Sequence, residues 1–386
     1  MKIQMEAKEL ANLVSVAAQA ISSKPMKPEN ECVYVSARKN EGIPLLTVIG
    51  KDVGIAIQKV TERVEVIDGG DALIPAKTLL SFLKLIDGDM TLTVDEKNAA
   101  TLKAKGKKIN IACMGGAEYE PGLTVINDAK ECRMNGMDYA KLVNSVAHCI
   151  NPNETGRIVL TGVDFTFDGT KPQNGAEACG MDGFRVAISR GNVETNETFT
   201  ALVPVTSAKL VQKVIGDRED VSFRFGKGVM IAEAYDTAIE VSMLAGEYID
   251  YPMMLPKEHT LRLKVKTEEL LNAAQIAMVS ASEGKKDMIV LKIIDEDTIQ
   301  VIAMADRSGA VTAVNCMVEG NLTNKDGLLD GNEIAFNGRY IEDCLKAQMA
   351  YSEESIIEFK SRVSPMVVLP VGREDFYQLV LPVRRK

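Results

Sequence analysis

Three stretches of the chain share one pattern of apolar and polar positions. Each stretch holds a short apolar run, then apolar residues at helical spacing, then a turn, then a segment in which apolar and polar residues alternate. The stretches begin at Leu73, Leu202 and Ala335. Helical spacing followed by alternation predicts a strand, an amphipathic helix, a turn and a second strand in each stretch. A pattern that recurs at a regular interval indicates one structural unit present three times.

The interval between the copies is nearly constant. Lys84, Lys213 and Lys346 occupy the same position in the three patterns, with spacings of 129 and 133 residues. The Glu-Tyr pair at 118–119 recurs at 247–248, again 129 residues later. A further helix is predicted at the start of each copy, from Ala7 to about Ile21, from Met137 to about Cys149 and from Thr267 to about Ser282.

These spacings divide the chain into three tandem domains, residues 1–128, 129–257 and 258–386. Each domain is predicted to contain two helices and several strands. Short strands that follow one another through hairpins favour antiparallel sheets, with the helices packed on one face. The predicted fold class is therefore α+β, with three copies of one domain.

Composition limits the environment and the kind of DNA contact. The 386 residues are 46% hydrophobic and 26% charged, which is typical of a globular chain with a large interior. No apolar run reaches the ~20 residues of a membrane helix, and the segment after Met1 has no signal-peptide pattern, so we expect a cytoplasmic protein with no membrane partner. The net charge of −9 argues against holding DNA by bulk electrostatics, because basic side chains supply most non-specific affinity.

Candidate chemistry is sparse. The seven cysteines include no CxxC pair and the two histidines form no metal-binding motif, so neither a metal nor a cofactor is expected. His148 and Cys149 are adjacent, but neighbours on a helix point about 100° apart and would not form a nucleophile and base pair. The Gly-Lys-Gly segment at 226–228 lacks the spacing of a phosphate-binding loop. These observations favour a protein that is not an enzyme and has no catalytic residue.

Three segments carry a resemblance to a known family. They are 180–190 (GMDGFRVAISR), 246–256 (GEYIDYPMMLP) and 377–384 (YQLVLPVR). Together with the order of the three domains, they resemble the beta subunit of bacterial DNA polymerase III, the sliding clamp, over the whole chain. The resemblance implies a head-to-tail homodimer that closes six domains into a ring, with helices lining the hole and sheets outside. A closed ring stays on DNA without tight contacts, so only its inner wall need be basic.

The resemblance also implies a function and partners. The ring would slide on double-stranded DNA without reading its sequence and would tether the replicative polymerase, which confers processivity. The implied partners are a second copy of this chain, DNA, the DNA polymerase III alpha subunit, the clamp loader and other replication and repair proteins that carry short clamp-binding peptides. The alternative is a divergent scaffold that binds such peptides but is not loaded on DNA. In the cell, the protein would associate with the nucleoid during replication.

The resemblance assigns the dimer interface to the strand at 109–111 of the first domain and to a helix end of the third domain in the other subunit. Two lysines before that strand would meet an acidic run of the partner, and the alternative is that both charge runs are solvated loop tips. The assigned residues are Lys107, Lys108, Ile109, Ile111, Met278, Val279, Asp295 and Glu296.

Basic residues on the repeated helices, and in the loop after the first helix, are the candidates for phosphate contact on the inner wall. A lysine on a helix is more often simply solvated, but recurrence at one repeat position favours a shared role. The loop 23–31 lacks the apolar segment that is common in the family at this place. The candidates are Lys24, Lys27, Lys77, Lys84, Lys209, Lys213, Arg339 and Lys346.

A groove for partner peptides is implied between the second and third domains. Its residues are largely apolar with a few polar handles, which suits an anchored Leu or Phe side chain. The alternative for these apolar residues is ordinary packing between domains. The assigned residues are Leu160, Met181, Gly183, Phe184, Arg185, Val186, Ile249, Met253, Met254, Leu379, Val380, Leu381, Pro382, Val383 and Arg384.

Four groove positions depart from the commoner pattern of the family. Met181 stands where a small polar residue is usual, Phe184 replaces a histidine, Ile249 a proline and Met253 an arginine. Methionine adapts its shape to different ligands, and each change alters what the groove can contact. We therefore expect the peptide preference of this chain to differ from that of its relatives.

Overall fold

The structure is a computed structural model, and it describes residues 1–22, 27–115, 119, 122–171, 173–283, 287–295, 297–304, 311–318, 323–324, 333–361 and 363–383. Within these ranges the chain forms two compact units. The first unit contains Met1–Met137 and Ser207–Met243, and the second contains Asp138–Thr206 and Leu244–Lys386.

The secondary structure alternates short helices with many strands. The helices are α1 (Ala7–Ala17), α2 (Ala76–Leu83), α3 (Gly136–Ala147), α4 (Val205–Ile215), α5 (Thr267–Glu283) and α6 (Gly338–Met349). The strands up to residue 134 are β1 (Lys2–Glu6), β2 (Cys32–Asn40), β3 (Ile43–Asp52), β4 (Ile55–Thr61), β5 (Glu65–Asp68), β6 (Gly70–Pro75), β7 (Asp89–Val94), β8 (Ala99–Ala104), β9 (Lys107–Ala112), β10 (Met114–Gly115) and β11 (Lys130–Met134). The later strands are β12 (Gly162–Asp168), β13 (Ala176–Met181), β14 (Arg185–Gly191), β15 (Thr198–Pro204), β16 (Val221–Gly226), β17 (Val229–Ala234), β18 (Thr237–Ser242), β19 (Leu261–Lys266), β20 (Met288–Asp295), β21 (Thr298–Met304), β22 (Val311–Met317), β23 (Thr323–Asn324), β24 (Glu333–Asn337), β25 (Glu354–Phe359), β26 (Met366–Pro370) and β27 (Phe376–Val380).

The first unit contains two antiparallel sheets. One has the strand order β5-β1-β7-β8-β9, and the other has the order β10-β6-β2-β3-β4-β18-β17-β16-β11. Helix α1 buries Leu10, Leu13 and Val14 at helical spacing, and these side chains join the apolar core of the unit. The end of α1 lies close to β3, because a Cβ atom added at Gly50 would lie 2.0 Å from the carbonyl oxygen of Ala17. Only glycine fits at that position without moving the helix or the strand.

The second unit is also built on two antiparallel sheets. Their strand orders are β15-β12-β13-β14-β27-β26-β25-β19-β23 and β22-β21-β20-β24. Helices α5 and α6 bury Leu270, Ala274 and Ile341 against Phe336 in one core cluster. Helix α3 places Tyr139 against Phe165 of β12, with the ring centroids 5.9 Å apart. Both sheets are therefore covered by helices on the face that carries the large apolar side chains.

Each long sheet contains one junction between strands that are far apart in sequence. In the first unit β4 pairs with β18, and in the second unit β14 pairs with β27. An aspartate lies at each junction: Asp236 accepts a hydrogen bond from Lys59 Nζ at 2.7 Å, and Asp375 accepts one from Lys141 Nζ at 2.9 Å. Burial opposes ionisation of Asp375, but hydrogen bonds from Arg373 and Lys141 lower its pKa to about 2. The two junctions are thus equivalent structures, as the sequence repeat requires.

The predicted α+β class is confirmed, and every ladder between described strands is antiparallel. The three predicted patterns form β6 and α2, β15 and α4, and β24 and α6, while α1, α3 and α5 are the predicted opening helices. The first opening helix is α-helical to Ala17 and continues as a 3-10 turn to Ala20. The division into domains 1–128, 129–257 and 258–386 stays a prediction. Among the described residues, no helix is long and apolar enough to cross a membrane.

Candidate partner groove, DNA-facing surface and edge strands

An apolar floor lies on one face of β13, β14 and β27 in the second unit. Alternation along β14 places Val186 and Ile188 on this face. The 3-10 turns 158–161 and 251–254 cover the floor from the side and add one buried residue each. Partly buried side chains, including Tyr248 and Ile249, pack around it. We call this cluster the groove floor; it consists of Leu160, Cys179, Met181, Val186, Ile188, Tyr251 and Leu379.

Large apolar side chains remain exposed around the groove floor. Phe184 is 58% exposed and Met253 is 82% exposed, although neither is needed to complete the core. Met254, Leu381 and Val383 are also exposed. Exposed apolar side chains that cluster next to a buried apolar floor mark a binding surface rather than a packing defect. The surface suits a partner that inserts one or two apolar side chains.

The 3-10 turn that carries both methionines is anchored to the sheet through a carboxylate. The hydroxyl of Tyr251 donates a hydrogen bond to Glu177 of β13, and Arg190 Nε donates to the same carboxylate at 2.6 Å. Asp164 lies nearby on β12, and burial together with the charge of Glu177 raises its pKa to about 6. The wall of the groove is therefore fixed to β13 by a polar contact, not only by apolar packing.

A tight turn projects Phe184 from the end of β13. Gly183 has a φ of 85°, a value that L side chains rarely adopt, so glycine is needed there. The Asp182 carboxylate accepts hydrogen bonds from the backbone N–H groups of Phe184 and Arg185 at 3.0 and 3.1 Å. The N–H of Leu381 donates to the carbonyl of Phe184 at 2.8 Å, which ties the C-terminal segment to this turn.

The guanidinium of Arg185 is fully engaged within the protein. Its Nε donates to Asp182 at 3.0 Å, its Nη1 donates to Asp343 at 2.8 Å, and its carbon lies 4.3 Å from the ring centroid of Tyr340. Burial opposes the charge, but the hydrogen bond to Asp343 and the nearby carboxylates raise the pKa of Arg185 above its ordinary value. Only 11% of the side chain is exposed. Arg185 is therefore a positioning residue and has no free donor face for a ligand.

Most predicted groove residues lie together. Leu160, Met181, Val186 and Leu379 belong to the floor. Ile249 packs against the floor, Gly183 and Arg185 form the turn, and the other described residues border it, with the exception of Val380. Val380 is buried in the core cluster under α5 and α6, because alternation along β27 directs it away from the face that holds Leu379. Arg384 lies outside the described residues, and Pro382 is half-buried between Leu381 and Val383.

Several residues of the site were not in the prediction. Ile188 follows from alternation along β14 and could have been found from the sequence. Tyr340 and Asp343 are three residues apart on α6 and thus share one helix face, but nothing in the sequence connects that face with Arg185. Cys179, Tyr251 and Asp182 complete the set.

The candidate DNA-facing residues that the structure describes are all exposed: Lys27, Lys77, Lys84, Lys209, Lys213, Arg339 and Lys346. Two of them form ion pairs on or beside α6. Arg339 Nε lies 2.9 Å from Asp287, and Lys346 Nζ lies 2.6 Å from Glu342 one helical turn away. Exposed pairs of this kind are weak and can be exchanged for phosphate. Lys24 lies outside the described residues.

The predicted interface residues divide into two groups. Lys107 and Lys108 are exposed on β9, and Lys107 Nζ donates to the carbonyl of Leu85 at 2.6 Å. Ile109 and Ile111 instead pack toward the core of their own unit, so β9 can offer a partner its backbone but not these side chains. In the second unit, Val279 is 69% exposed, Met278 packs on the core, and Asp295 is exposed. Glu296 lies outside the described residues.

Buried thiols and a buried histidine show no arrangement for catalysis. Burial raises the pKa of the Cys149 thiol well above its ordinary value, which disfavours the reactive thiolate. Burial and the nearby charge of Arg185 lower the pKa of His148 to about 4. Among the described residues, no group of three or more His, Cys, Asp or Glu side chains could hold a metal ion.

Comparison with solved structures identifies the class of protein. The chain matches the DNA polymerase sliding clamp of Bacillus subtilis with a TM-score of 0.90 at 18% sequence identity, covering 100% of both chains. It matches the DNA polymerase III beta chain of Streptococcus pneumoniae with the same TM-score at 20% identity and the same coverage. The fold is therefore that of a DNA clamp.

Sequence comparison identifies the family. Models of the DNA polymerase III beta subunit match in order: the N-terminal domain at residues 1–124, the central domain at 133–250 and the C-terminal domain at 253–384. The Beta sliding clamp of Halalkalibacterium halodurans is 25% identical over 96% of both chains, and that of Staphylococcus aureus is 22% identical over 95% of this chain and 94% of its own. This chain belongs to the family of DNA polymerase III beta subunits, the sliding clamps of DNA replication.

Proposed function

We propose that two copies of this chain close head to tail into a ring around duplex DNA, and that the groove described above holds short peptide segments of replication proteins. The DNA polymerase III alpha subunit, the clamp loader and other replication and repair proteins are the proposed partners. A polymerase tethered to a sliding ring remains at high effective concentration near the primer end, and this produces processivity. The protein would act in the cytoplasm, at the nucleoid during replication.

The observation that carries ring closure is a pair of open sheet edges. β9 is the last strand of its sheet in the first unit, and β22 is the last strand of its sheet in the second. Val311 and Met317 on β22 are exposed large hydrophobic residues. Long open edges promote uncontrolled pairing with other chains, so proteins normally cover them. Pairing β9 of one copy with β22 of another would cover both edges in a closed assembly.

Topology would also account for DNA retention by an acidic protein. A net charge of −9 does not favour tight phosphate contact, but a closed ring needs only a few exposed basic residues to keep the duplex centred. The exposed lysines of α2 and α4, Lys77, Lys84, Lys209 and Lys213, would supply such contacts. The chain would therefore work as a non-catalytic subunit, without a cofactor of its own.

The test has two stages. Light scattering and small-angle X-ray scattering should give a particle of twice 42.0 kDa with a central hole. After treatment with a clamp loader and ATP, the protein should stay on a nicked circular plasmid through gel filtration and should be lost when the plasmid is cut once. A compact monomer, or retention that survives linearisation, would contradict the encircling mechanism.

A further inference from the structure

Phe184 and Tyr340 form an exposed aromatic surface beside the groove floor, which we call the aromatic shelf. Their ring centroids are 6.2 Å apart and the ring planes are inclined by 32°. Phe184 comes from the turn after β13, and Tyr340 comes from the first turn of α6. Phe184 is 58% exposed, so its ring contributes little to the core. An aromatic ring held in place but left open to solvent is typical of a recognition surface.

The backbone and side chains around the aromatic shelf hold it in one position. Asp182 accepts two backbone hydrogen bonds in the turn that carries Phe184, and the carbonyl of Phe184 accepts a third from Leu381. The guanidinium of Arg185 covers the other aromatic ring of the shelf at 4.3 Å. Because the rings are already fixed, a ligand that stacks on them loses little further conformational entropy in the protein.

The charges next to the aromatic shelf disfavour an acidic ligand. Arg185 carries one positive charge and is paired with two carboxylates, Asp182 and Asp343. The cluster is therefore net negative, and 42% of the Asp343 side chain is exposed, whereas only 11% of Arg185 is exposed. A carboxylate placed on the shelf would meet the exposed charge of Asp343 and no free guanidinium.

We infer that the aromatic shelf selects partner peptides that place an aromatic side chain, and not an acidic one, beside Phe184. This inference rests on the peptide groove proposed above and goes beyond it by naming the residue that decides among peptides. The occupant is a short peptide of another protein, with one aliphatic side chain in the groove floor and one aromatic side chain on the shelf. The floor and the shelf adjoin at Val186 and Phe184, which are two residues apart in sequence.

The experiment uses synthetic peptides and the full-length protein. Each N-terminally fluorescein-labelled peptide carries one leucine for the groove floor, then zero to three serines, then phenylalanine, cyclohexylalanine or aspartate. Cyclohexylalanine keeps the size and apolar character of phenylalanine but has no aromatic ring. Fluorescence anisotropy gives Kd for the wild type and for Phe184→Leu. Tyr235→Leu serves as the matched control, because Tyr235 is a fully exposed aromatic residue of the first unit.

The expected result is a coupling between the two rings. At the best spacing, the phenylalanine peptide should bind Phe184→Leu about 2- to 12-fold more weakly than the wild type, which is the range measured for aromatic pairs. The cyclohexylalanine peptide should bind both proteins equally, and the aspartate peptide should bind the wild type most weakly. Tyr235→Leu should bind all the peptides as the wild type does.

Two other results would overturn the inference, and they differ in what else they exclude. If the phenylalanine and cyclohexylalanine peptides bind and lose affinity equally in Phe184→Leu, the groove stands but aromatic selection does not. If no peptide binds the wild type at millimolar concentration, the groove itself is refuted and the shelf with it. Equal melting temperatures of the two proteins would confirm that Phe184→Leu acts on binding and not on folding.

Discussion

Replacing Tyr351 with phenylalanine should break a directed chain of hydrogen bonds in the second unit. Ser145 Oγ donates to the carbonyl of Lys141 at 2.6 Å, so it can only accept from the Tyr351 hydroxyl, which lies 2.7 Å away. The Tyr351 hydroxyl therefore accepts from Ser189 Oγ, also at 2.7 Å. All three side chains are buried, and Ser189 is fully so. Tyr351→Phe removes the acceptor of the Ser189 hydroxyl.

The magnitude follows from that orphaned donor. A buried hydroxyl left without a partner costs about 1–3 kcal/mol, so we expect Tyr351→Phe to lower the free energy of unfolding by about 2 kcal/mol. For a unit of about two hundred residues this corresponds to a fall in Tm of roughly 4–8 °C. Differential scanning calorimetry measures the shift. The double variant Tyr351→Phe with Ser189→Ala should be more stable than Tyr351→Phe alone, because it removes the donor as well as the acceptor.

The matched control is Tyr377→Phe. The Tyr377 hydroxyl is buried and has no hydrogen-bond partner among the described residues, so its removal should leave Tm unchanged or raise it. Equal losses in Tyr351→Phe and Tyr377→Phe would refute the reasoning, because both changes delete one oxygen atom. A double variant less stable than Tyr351→Phe would refute the assigned direction of the hydrogen bonds.

Three further predictions concern pH and assembly. Asp164→Asn should stabilise the protein by about 2 kcal/mol at pH 7.5 and by much less at pH 4, because the raised pKa of about 6 makes the ionised Asp164 costly only above that pH; thermal melts of both proteins at the two pH values test this. His148 should act in the opposite direction: its pKa of about 4 means that the unfolded chain binds a proton below pH 6.5 while the native protein does not, so stability falls between pH 6.5 and 4, and a His148→Leu variant with the same acid sensitivity would count against this. Val279→Glu should raise the Kd of the dimer at least 10-fold by placing a charge in the proposed interface, as measured by sedimentation at increasing dilution, whereas Val53→Glu, at another exposed site, should leave it unchanged; equal effects would contradict the interface.

The sequence was sufficient for the elements but not for their grouping. Helical spacing and alternation located all six helices, since these are local properties of the chain. The pairing of β4 with β18 joins residues that are about 180 positions apart, and periodicity carries no information about such partners. The division into two compact units depends on these long-range ladders. For this reason it could not be predicted from the length of the repeat.

The candidate groove was predictable in outline, with errors that have physical causes. The residues carried over from the resemblance include Val380, which β27 directs into the core because its neighbour Leu379 faces the groove. The contacts of Arg185 could not be predicted, since its partner Asp343 lies on a helix that begins more than 150 residues later. Motifs that are continuous in sequence identify the strand and the turn of a site, but not the helix that packs beside them.

The ladder between β4 and β18 also determines what happens when the polypeptide is shortened. A product that stops after Met137 retains β4 but lacks β18, so the backbone groups at 55–59 that paired with 237–241 are left bare. A bare central strand is an efficient template for joining identical chains. Premature termination or proteolysis in the middle of the chain should therefore give aggregates instead of working halves. Selection on this gene would thus act against truncated products as well as against loss of the complete protein.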